Sequence, residues 1–507
     1  MLSRRPLYSL GAWAQAGVPA LMGLEADHLK VLNDDRVGRA LDRLFDVDRQ
    51  ALLTDLVVAM VREFEVRLDE LHNDSTTITL QGDYQKANGK RVRGKATLRA
   101  TFGHNKDYRP DLKQLVWILT LSADGAVPIQ FKVVDGNTED STTHIDTWAA
   151  LRLLVGSANF LYVADCKLCT RENLKYIQAQ GGRFITVVPR TWKEDSLFKD
   201  WIQHNTPAWE EVARKPHPRL KDGPPDVFVA VASPHVDPDG FRVVWYRSSQ
   251  KMARDAEARG SMLQTATTAL DVLRAKLEGP RSRRRSRASV LQAVEAILTT
   301  TGTARWLNYE VTAVEEPLYR QETRGRPGSK TRWRRRLKTS FRLSWTLRQE
   351  QIARDARCDG LFPLIANTAS SFQEILEAYK SKQPLVERQH HVLKTIQAGV
   401  PVYLKSIARL EALLFLYFVS LLVNALLERE VRHAMEKHGI KKLPLYPEER
   451  ACKAPSADRI LEVFGPVQRT LLYKRGVLVQ RFDPELNSIQ RKLLRLLGIS
   501  QAHFENH

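Results

Sequence analysis

The chain changes its hydrophobic rhythm several times. Up to about residue 70 the apolar positions recur at helical spacing. Asn33-Asp34-Asp35 can cap a first helix running through Val37, Ala40, Leu41 and Leu44. A second helix runs from Arg49 to about Leu71, with Leu52, Leu56, Val57, Met60 and Val61 on one side. Alternation then takes over. Residues 75–80, Ser-Thr-Thr-Ile-Thr-Leu, predict a strand; 114–122 predict a second; Val127 to Val134 predict a third after the turn Ala123-Asp124-Gly125. Asp140 to Val155 predicts a helix capped by Asp140, Ser141 or Thr142. Phe160 to Ala164 is wholly apolar and suits the centre of a sheet. Arg171 to Gln180 predicts another helix, stopped by Gly181-Gly182, and Phe184 to Val188 a fifth strand.

Three antiparallel strands followed by helix, strand, helix, strand is the order of a ribonuclease-H-like α/β domain. In that order the first and fourth strands lie side by side, which makes Asp74 and Asp165 neighbours. From 191 to 350 the pattern is interrupted. Phe228 to Ala232 and Phe241 to Tyr246 predict strands around Pro238-Asp239-Gly240, helices follow near 255–278 and 288–299, and strands near 304–314 and 339–348. This reads as a β-rich insertion with its own sheet. From 371 to the end the pattern is helical. The expected organisation is a helical N-terminal region over 1–70, the first part of the ribonuclease-H-like domain over 71–190, a β-rich basic insertion over 191–350, the second part of that domain over 351–430, and a helical C-terminal region over 431–507.

Length and charge narrow the class. A chain of 507 residues exceeds one simple core. A formal charge of +20 points to a polyanionic partner such as nucleic acid. The four cysteines make no disulfide framework, which fits a reducing cytoplasm. Cys166 and Cys169 form a CxxC without a second ligand pair, so a buried, reduced pair beside Asp165 is expected. Ala412 to Leu427 is apolar but shorter than a bilayer span, so it reads as a core helix and no membrane partner is expected.

The candidate chemistry lies in three carboxylates: Asp74 in a β-type run, Asp165 after Phe160-Leu-Tyr-Val-Ala164, and Glu387 in a helical pattern. Hard carboxylate oxygens suit Mg²⁺ or Mn²⁺. Two such ions, with Asp165 bridging and Asp74 and Glu387 each holding one, can drive in-line attack on a phosphodiester. Glu374 and Glu377 are rivals to Glu387, and Asp83, Asp135 and Asp359 rank lower. The chain has no Walker loop and no GxSxG. His104, His144, His390 and His391 read as structural or DNA-proximal.

Four passages carry a resemblance. They are Asp74-Ser-Thr; Gly103-His-Asn-Lys-Asp-Tyr-Arg-Pro-Asp-Leu-Lys-Gln114; Val163-Ala-Asp165 with Glu172-Asn173-Leu174; and Val386-Glu387 with Lys394, Pro401-Val402 and the helix through Arg409 to Glu428. Together they resemble bacterial insertion-sequence transposases of the DDE type, in the superfamily with a β-rich insertion before the catalytic Glu. The likeness spans nearly the whole chain. It implies catalytic and metal-holding roles for Asp74, Asp165 and Glu387, cleavage at terminal inverted repeats, and strand transfer into target DNA. It also implies double-stranded DNA as partner and a homodimer in the active complex. The Glu helix of that superfamily carries a tyrosine and basic residues that touch DNA, here Tyr379, Arg388 and Lys394. Tyr379 stands eight before Glu387, off the common spacing, and Gln383 stands where an Arg is often found. The likeness also implies further sequence ahead of Pro6-Leu7-Tyr8, so a truncated or inactive copy that binds DNA without catalysis is the alternative.

Two basic runs remain, Arg281–Arg287 and Lys330–Lys338. Arg283, Arg284, Arg285, Arg334, Arg335 and Arg336 are candidates to clamp the DNA backbone, with affinity that falls with salt. Arg324-Gly-Arg-Pro327 resembles the core of an AT-hook, but between two predicted strands it reads rather as a hairpin turn. Trp333 could stack on a base but reads rather as buried.

Overall fold

The computed structural model describes residues 9–15, 17, 24–29, 31–217, 222–279, 286–398, 404–446, 448 and 450–500. They divide into two compact units, Met1–Val187 with Ala366–His507, and Val188–Ile365. Both are α/β.

The first unit opens with two short helices, α1 (Leu10–Gln15) and α2 (Ala26–Leu29), then α3 (Asp34–Asp46) and α4 (Arg49–Phe64). Asn33 caps α3 by accepting the Arg36 N–H at 3.0 Å. Helix α4 stops short of Leu71 because Glu65 turns left-handed at φ 49°. Its buried face is Leu53, Val57 and Met60, while Leu52 is 41% exposed. Five strands follow: β1 (Glu70–Leu80), β2 (Lys113–Ser122), β3 (Pro128–Val134), β4 (Leu161–Ala164) and β5 (Arg183–Val187). Helices α5 (His144–Val155) and α6 (Arg171–Ala179) make the connections between β3, β4 and β5. The strand order within this unit is β3-β2-β1-β4-β5. The β1–β2 pair is antiparallel, whereas β1–β4 and β4–β5 are parallel.

β1 is longer than its alternating stretch. Glu70 to Asn73 pair with β4 as well, so Asp74 lies inside the strand rather than at its end. Polar side chains at this buried pitch stay put because they are hydrogen-bonded: Asn73 Nδ2 donates to Thr120 Oγ1 at 2.9 Å and to the Leu119 carbonyl at 3.3 Å.

The second unit contains α7 (Lys193–His204), β6 (Glu210–Lys215), β7 (Asp226–Ala232), β8 (Arg242–Ser248), α8 (Ser249–Glu278), α9 (Arg287–Thr301), β9 (Leu307–Gln321), β10 (Trp333–Leu347), α10 (Gln349–Ala356) and most of β11 (Leu361–Ala366). α7 and β6 were not anticipated from the pattern. The order in its first sheet is β11-β8-β7-β6, and Phe198 stacks on Trp245 with centroids 4.1 Å apart. β9 and β10 form a separate two-stranded ribbon. Its near half packs Val311, Phe341 and Leu343 against Ala266, Leu270, Val290 and Val294 of α8 and α9.

The chain then returns to the first unit. Asn367 anchors it on β5, its Oδ1 accepting the Phe184 N–H at 2.7 Å and its Nδ2 donating to Gly182 at 2.9 Å. Helix α11 (Phe372–Glu377) leads through a π-helical turn, Ala378–Lys382, into α12 (Pro384–Ala398) and α13 (Ile407–Lys437). Pro384 brings no N–H, so the helical ladder is interrupted where the π turn sits. α13 has 31 residues, longer than its apolar run suggests. By length and composition it could span a membrane, but 72% of its apolar window is buried in the protein. It packs on β3, where Phe131 stacks between Trp117 and Phe418 at 4.8 Å from each.

The C-terminal region is not purely helical. Besides α14 (Ala457–Phe464) and α15 (Ser488–Leu496) it holds the short pair β12 (Leu443–Pro444) and β13 (Ala451–Cys452), and a hairpin of β14 (Thr470–Lys474) and β15 (Val477–Phe482). Arg475 and Gly476, both with positive φ (51° and 82°), form the two-residue turn that suits the twist of a hairpin.

Candidate functional site

Asp74 and Asp165 lie side by side. In the β1–β4 register Asn73 faces Ala164; Asp74 is the next residue of β1, and Asp165 the residue that follows β4. Neighbouring strands run about 4.8 Å apart, which brings both carboxylates to one place. Asp165 is held firmly in the turn after β4. Its Oδ1 accepts the Lys167 N–H at 2.9 Å, and its carbonyl accepts the Thr186 hydroxyl at 2.6 Å. Asp74 accepts the N–H of Ser75 at 2.8 Å.

Two further charged groups join them. Asp140 opens a 3₁₀ turn, Asp140–Thr143, ahead of α5. It caps nothing with its side chain; its carboxylate lies 3.2 Å from Lys106 Nζ. Asn173 fixes that turn by donating to the Ser141 carbonyl at 2.9 Å. Lys106 Nζ is 3.9 Å from Asp74 and donates to the Ser75 carbonyl at 2.6 Å and its hydroxyl at 2.8 Å.

The electrostatics follow from burial. Loss of water pushes the Asp74 carboxyl up to about 7; Lys106 opposes the shift, and the charges of Asp165 and Asp140 add to it. Burial raises Asp165 as well, against the Lys167 amide and Lys106. His390 lies 3.8 Å from Asp74, and burial with the charges of Lys106 and Lys394 takes it down to about 3, so its ring is neutral. Its Nε2 is buried without a hydrogen-bond partner among the described residues.

Glu387 sits in the first turn of α12 and is exposed. Tyr379 lies in the π-helical turn ahead of that helix. Burial, then the charges of Asp165, Cys166, Asp74 and Glu387, hold the Tyr379 phenol well above its ordinary value. An α-helix repeats its face every seven residues, so a tyrosine eight before Glu387 would point elsewhere on a straight helix. The π turn Ala378–Lys382 takes up the extra residue. Gln383 ties the same segment to β1, donating to the Asn73 carbonyl at 3.0 Å and meeting His72 Nδ1 at 3.0 Å. Lys382 adds an ion pair to Glu70 at 2.6 Å.

The remaining candidates divide. Arg388 is paired with the buried Glu428 at 2.6 Å, a carboxylate that also takes Arg432 and the Ala457 N–H. Lys394 is paired with Asp107. Arg334, Arg335 and Arg336 lie exposed on β10, whereas Arg283, Arg284 and Arg285 lie outside the described residues. Trp333 is 51% exposed, not buried, because it stands beyond the part of the ribbon covered by α8 and α9. The register places Arg334, Arg336 and Lys338 on one face opposite Arg320, Leu318 and Glu316, and Trp333, Arg335 and Leu337 on the other with Tyr319 and Pro317. The far half of the ribbon is thus cationic on one side and aromatic on the other. The cysteine pair is split: Cys166 is exposed in the turn after Asp165, and Cys169 is buried.

Among the described residues no three His, Cys, Asp or Glu side chains are gathered into a group that could hold a metal ion. Asp74 and Asp140 nonetheless offer hard carboxylate oxygens, and the cation beside both is the Lys106 ammonium. Their chemistry suits a hard divalent ion. A cavity of about 610 Å³ lined by Arg49, Lys95, Phe131 and Glu411 lies in the same unit but contains none of these carboxylates. Asp140 and Lys106 are the partners that sequence reasoning missed. Lys106 stood inside a quoted passage, but nothing local says that its side chain reaches β1.

No protein-family model matches the chain, and no curated protein matches it.

Proposed function

We propose that the chain is a DNA transposase of the DDE type, with a ribonuclease-H-like catalytic domain interrupted by the basic second unit. The observation that carries this reading is the adjacency of Asp74 on β1 and Asp165 just past the end of the parallel strand β4, with Lys106 and Asp140 beside Asp74. Asp74, Asp165 and Glu387 would hold Mg²⁺ or Mn²⁺, with Asp140 beside them. The bound ions would activate the attacking oxygen and stabilise the leaving one. The chain's own part is positioning. Thr186 and the Lys167 amide fix Asp165, Gln383 fixes the Glu helix on β1, and neutral His390 and Tyr379 line the site without adding charge. In the first reaction water attacks phosphorus at the element end and the 3′-oxygen leaves as a hydroxyl. In the second that hydroxyl attacks a target phosphodiester, forming one bond as another breaks. The exposed cations of β9 and β10 would grip duplex backbone, and two ends would be brought together by a homodimer.

The second reading is a copy that binds DNA without catalysis. What favours it is that Glu387 is exposed and that no three acids form a closed group among the described residues. The test is cleavage of a labelled duplex carrying the element's terminal repeat, with Mg²⁺ or Mn²⁺, by the wild type and by Asp165→Ala. The transposase reading expects site-specific nicks that vanish in the variant. Salt-sensitive binding without nicks in either protein would leave the binding-only reading.

A further inference from the structure

The loop that carries Lys106 is stitched along β1. The Lys106 N–H donates to Thr77 Oγ1 at 3.2 Å. Buried Asn105 donates to Thr79 Oγ1 at 3.1 Å, and its Oδ1 accepts the Asp107 N–H at 2.7 Å. Thr79 Oγ1 in turn donates to Asp107 at 3.1 Å. Ser75, Thr77 and Thr79 are alternate residues of one strand, so their hydroxyls lie on one face. Each holds this loop, and the result is a lysine set in place rather than a free surface side chain.

An ammonium has three N–H bonds to give. Those of Lys106 have three acceptors within reach: the Ser75 carbonyl, the Ser75 hydroxyl and Asp140 Oδ2. Asp74 Oδ1 stands 3.9 Å away. The same charge acts on Asp165 and on His390. Lys106 therefore stands among all the ionisable groups of the cluster. Its side chain is 32% exposed, which leaves it a path outward.

We propose that Lys106 is the resident counter-cation of the carboxylate site: its ammonium, beside Asp74 and Asp140, competes with a divalent ion for Asp74, and the ion binds by displacing it. This rests on the metal-dependent reading above. Two cations cannot share carboxylate oxygens at these distances without strong repulsion. In the free protein the lysine offsets the mutual repulsion of the aspartates. When the ion binds, the ammonium swings out through its exposed side.

The experiment is Mn²⁺ titration of the purified full chain at pH 8, followed by electron paramagnetic resonance of free Mn²⁺. Wild type is compared with Lys106→Met, Lys106→Gln and Lys106→Arg, and Asp74→Asn reports whether the binding belongs to this site. Melting curves identify variants that fold; Lys106→Gln keeps a donor for the Ser75 carbonyl should Lys106→Met not fold. The expected result is Mn²⁺ binding that Asp74→Asn abolishes, about tenfold or more tighter in Lys106→Met or Lys106→Gln, and no tighter in Lys106→Arg. Acylation of Lys106, read by mass spectrometry, should also rise when Mn²⁺ is added to the wild type. Binding that depends on Asp74 but is equal or weaker without the lysine would overturn the proposal and leave the metal reading standing. Absence of any Asp74-dependent binding in all variants would overturn both.

Discussion

Around Asp74 the charged groups answer one another: two aspartates, a lysine and a neutral histidine lie within a few ångström, partly withdrawn from water. Along the far half of the β9–β10 ribbon, Arg320, Arg334, Arg335 and Arg336 stand in solvent, with no ion pair formed among the described residues. The first arrangement shifts proton affinities and can discriminate one cation or one phosphate geometry. The second leaves its charges free to meet a polyanion and release counterions. On the proposed reading, chemistry and grip are built from the same kinds of residue, separated by burial.

The comparison can be broken by substitutions that should act on one side only. Asp165→Asn is expected to lower cleavage by about 10³-fold while duplex affinity stays near wild type. Equal losses of binding and cleavage would sink the division. Replacing Arg334, Arg335 and Arg336 together with Ala should reduce the slope of log affinity against log salt by about 2.7, leaving the cleavage rate at saturating protein intact. An unchanged salt slope would remove the ribbon from the DNA surface.

Acidity offers a subtler probe. The Asp74 carboxyl sits at about 7 in the folded chain and near 3.8 when exposed. Its folded form keeps a proton that the unfolded chain has already released, so its contribution to stability is full below pH 4 and is lost as pH rises through 7. Asp74→Asn should therefore gain stability over wild type from pH 4 to 7 and level off above, by about 4 kcal/mol at pH 8. Urea melts at pH 4.5 and pH 8 measure this, and a gain independent of pH would contradict it. Gln383→Ala leaves the Asn73 carbonyl and a His72 ring nitrogen buried without their partner. A loss of about 1–3 kcal/mol is expected, again by urea melts. The smallest effect belongs to Gly476→Ala, where φ is 82°. It should cost about 1 kcal/mol in the hairpin turn, visible as faster amide exchange in β14 and β15 with cleavage unchanged.

Sequence reading was strongest where pattern is local. The apolar run before Asp165 and the cap at Asn33 were legible because both are decided by a few adjacent residues. β1 was read short because Glu70, His72, Asn73 and Asp74 are poor strand formers, kept there by long-range partners such as Gln383 and Thr120. Asp140 was read as a cap for the same reason: its partner, Lys106, is remote in sequence. The hairpin at 470–482 was missed because Leu471-Leu472-Tyr473 and Val477-Leu478-Val479 fit either period, and Arg475-Gly476 was not read as a turn. The offset of Tyr379 looked like a departure until the π turn gave it a place.

One consequence of the discontinuous first unit concerns the order in which the protein is made. Asp74 and Asp165 precede the whole of Val188–Ile365, and Glu387 follows it. At ordinary elongation speeds the ribosome needs about 11–44 s to travel from Asp165 to Glu387. Only in the last part of that interval, the roughly 2–8 s after Leu347 is made, does the chain carry both strands of the cationic ribbon while Glu387 is still to come. On the proposed reading, a product that ended between Leu347 and Glu387 would keep the DNA-gripping ribbon and lack the third acid.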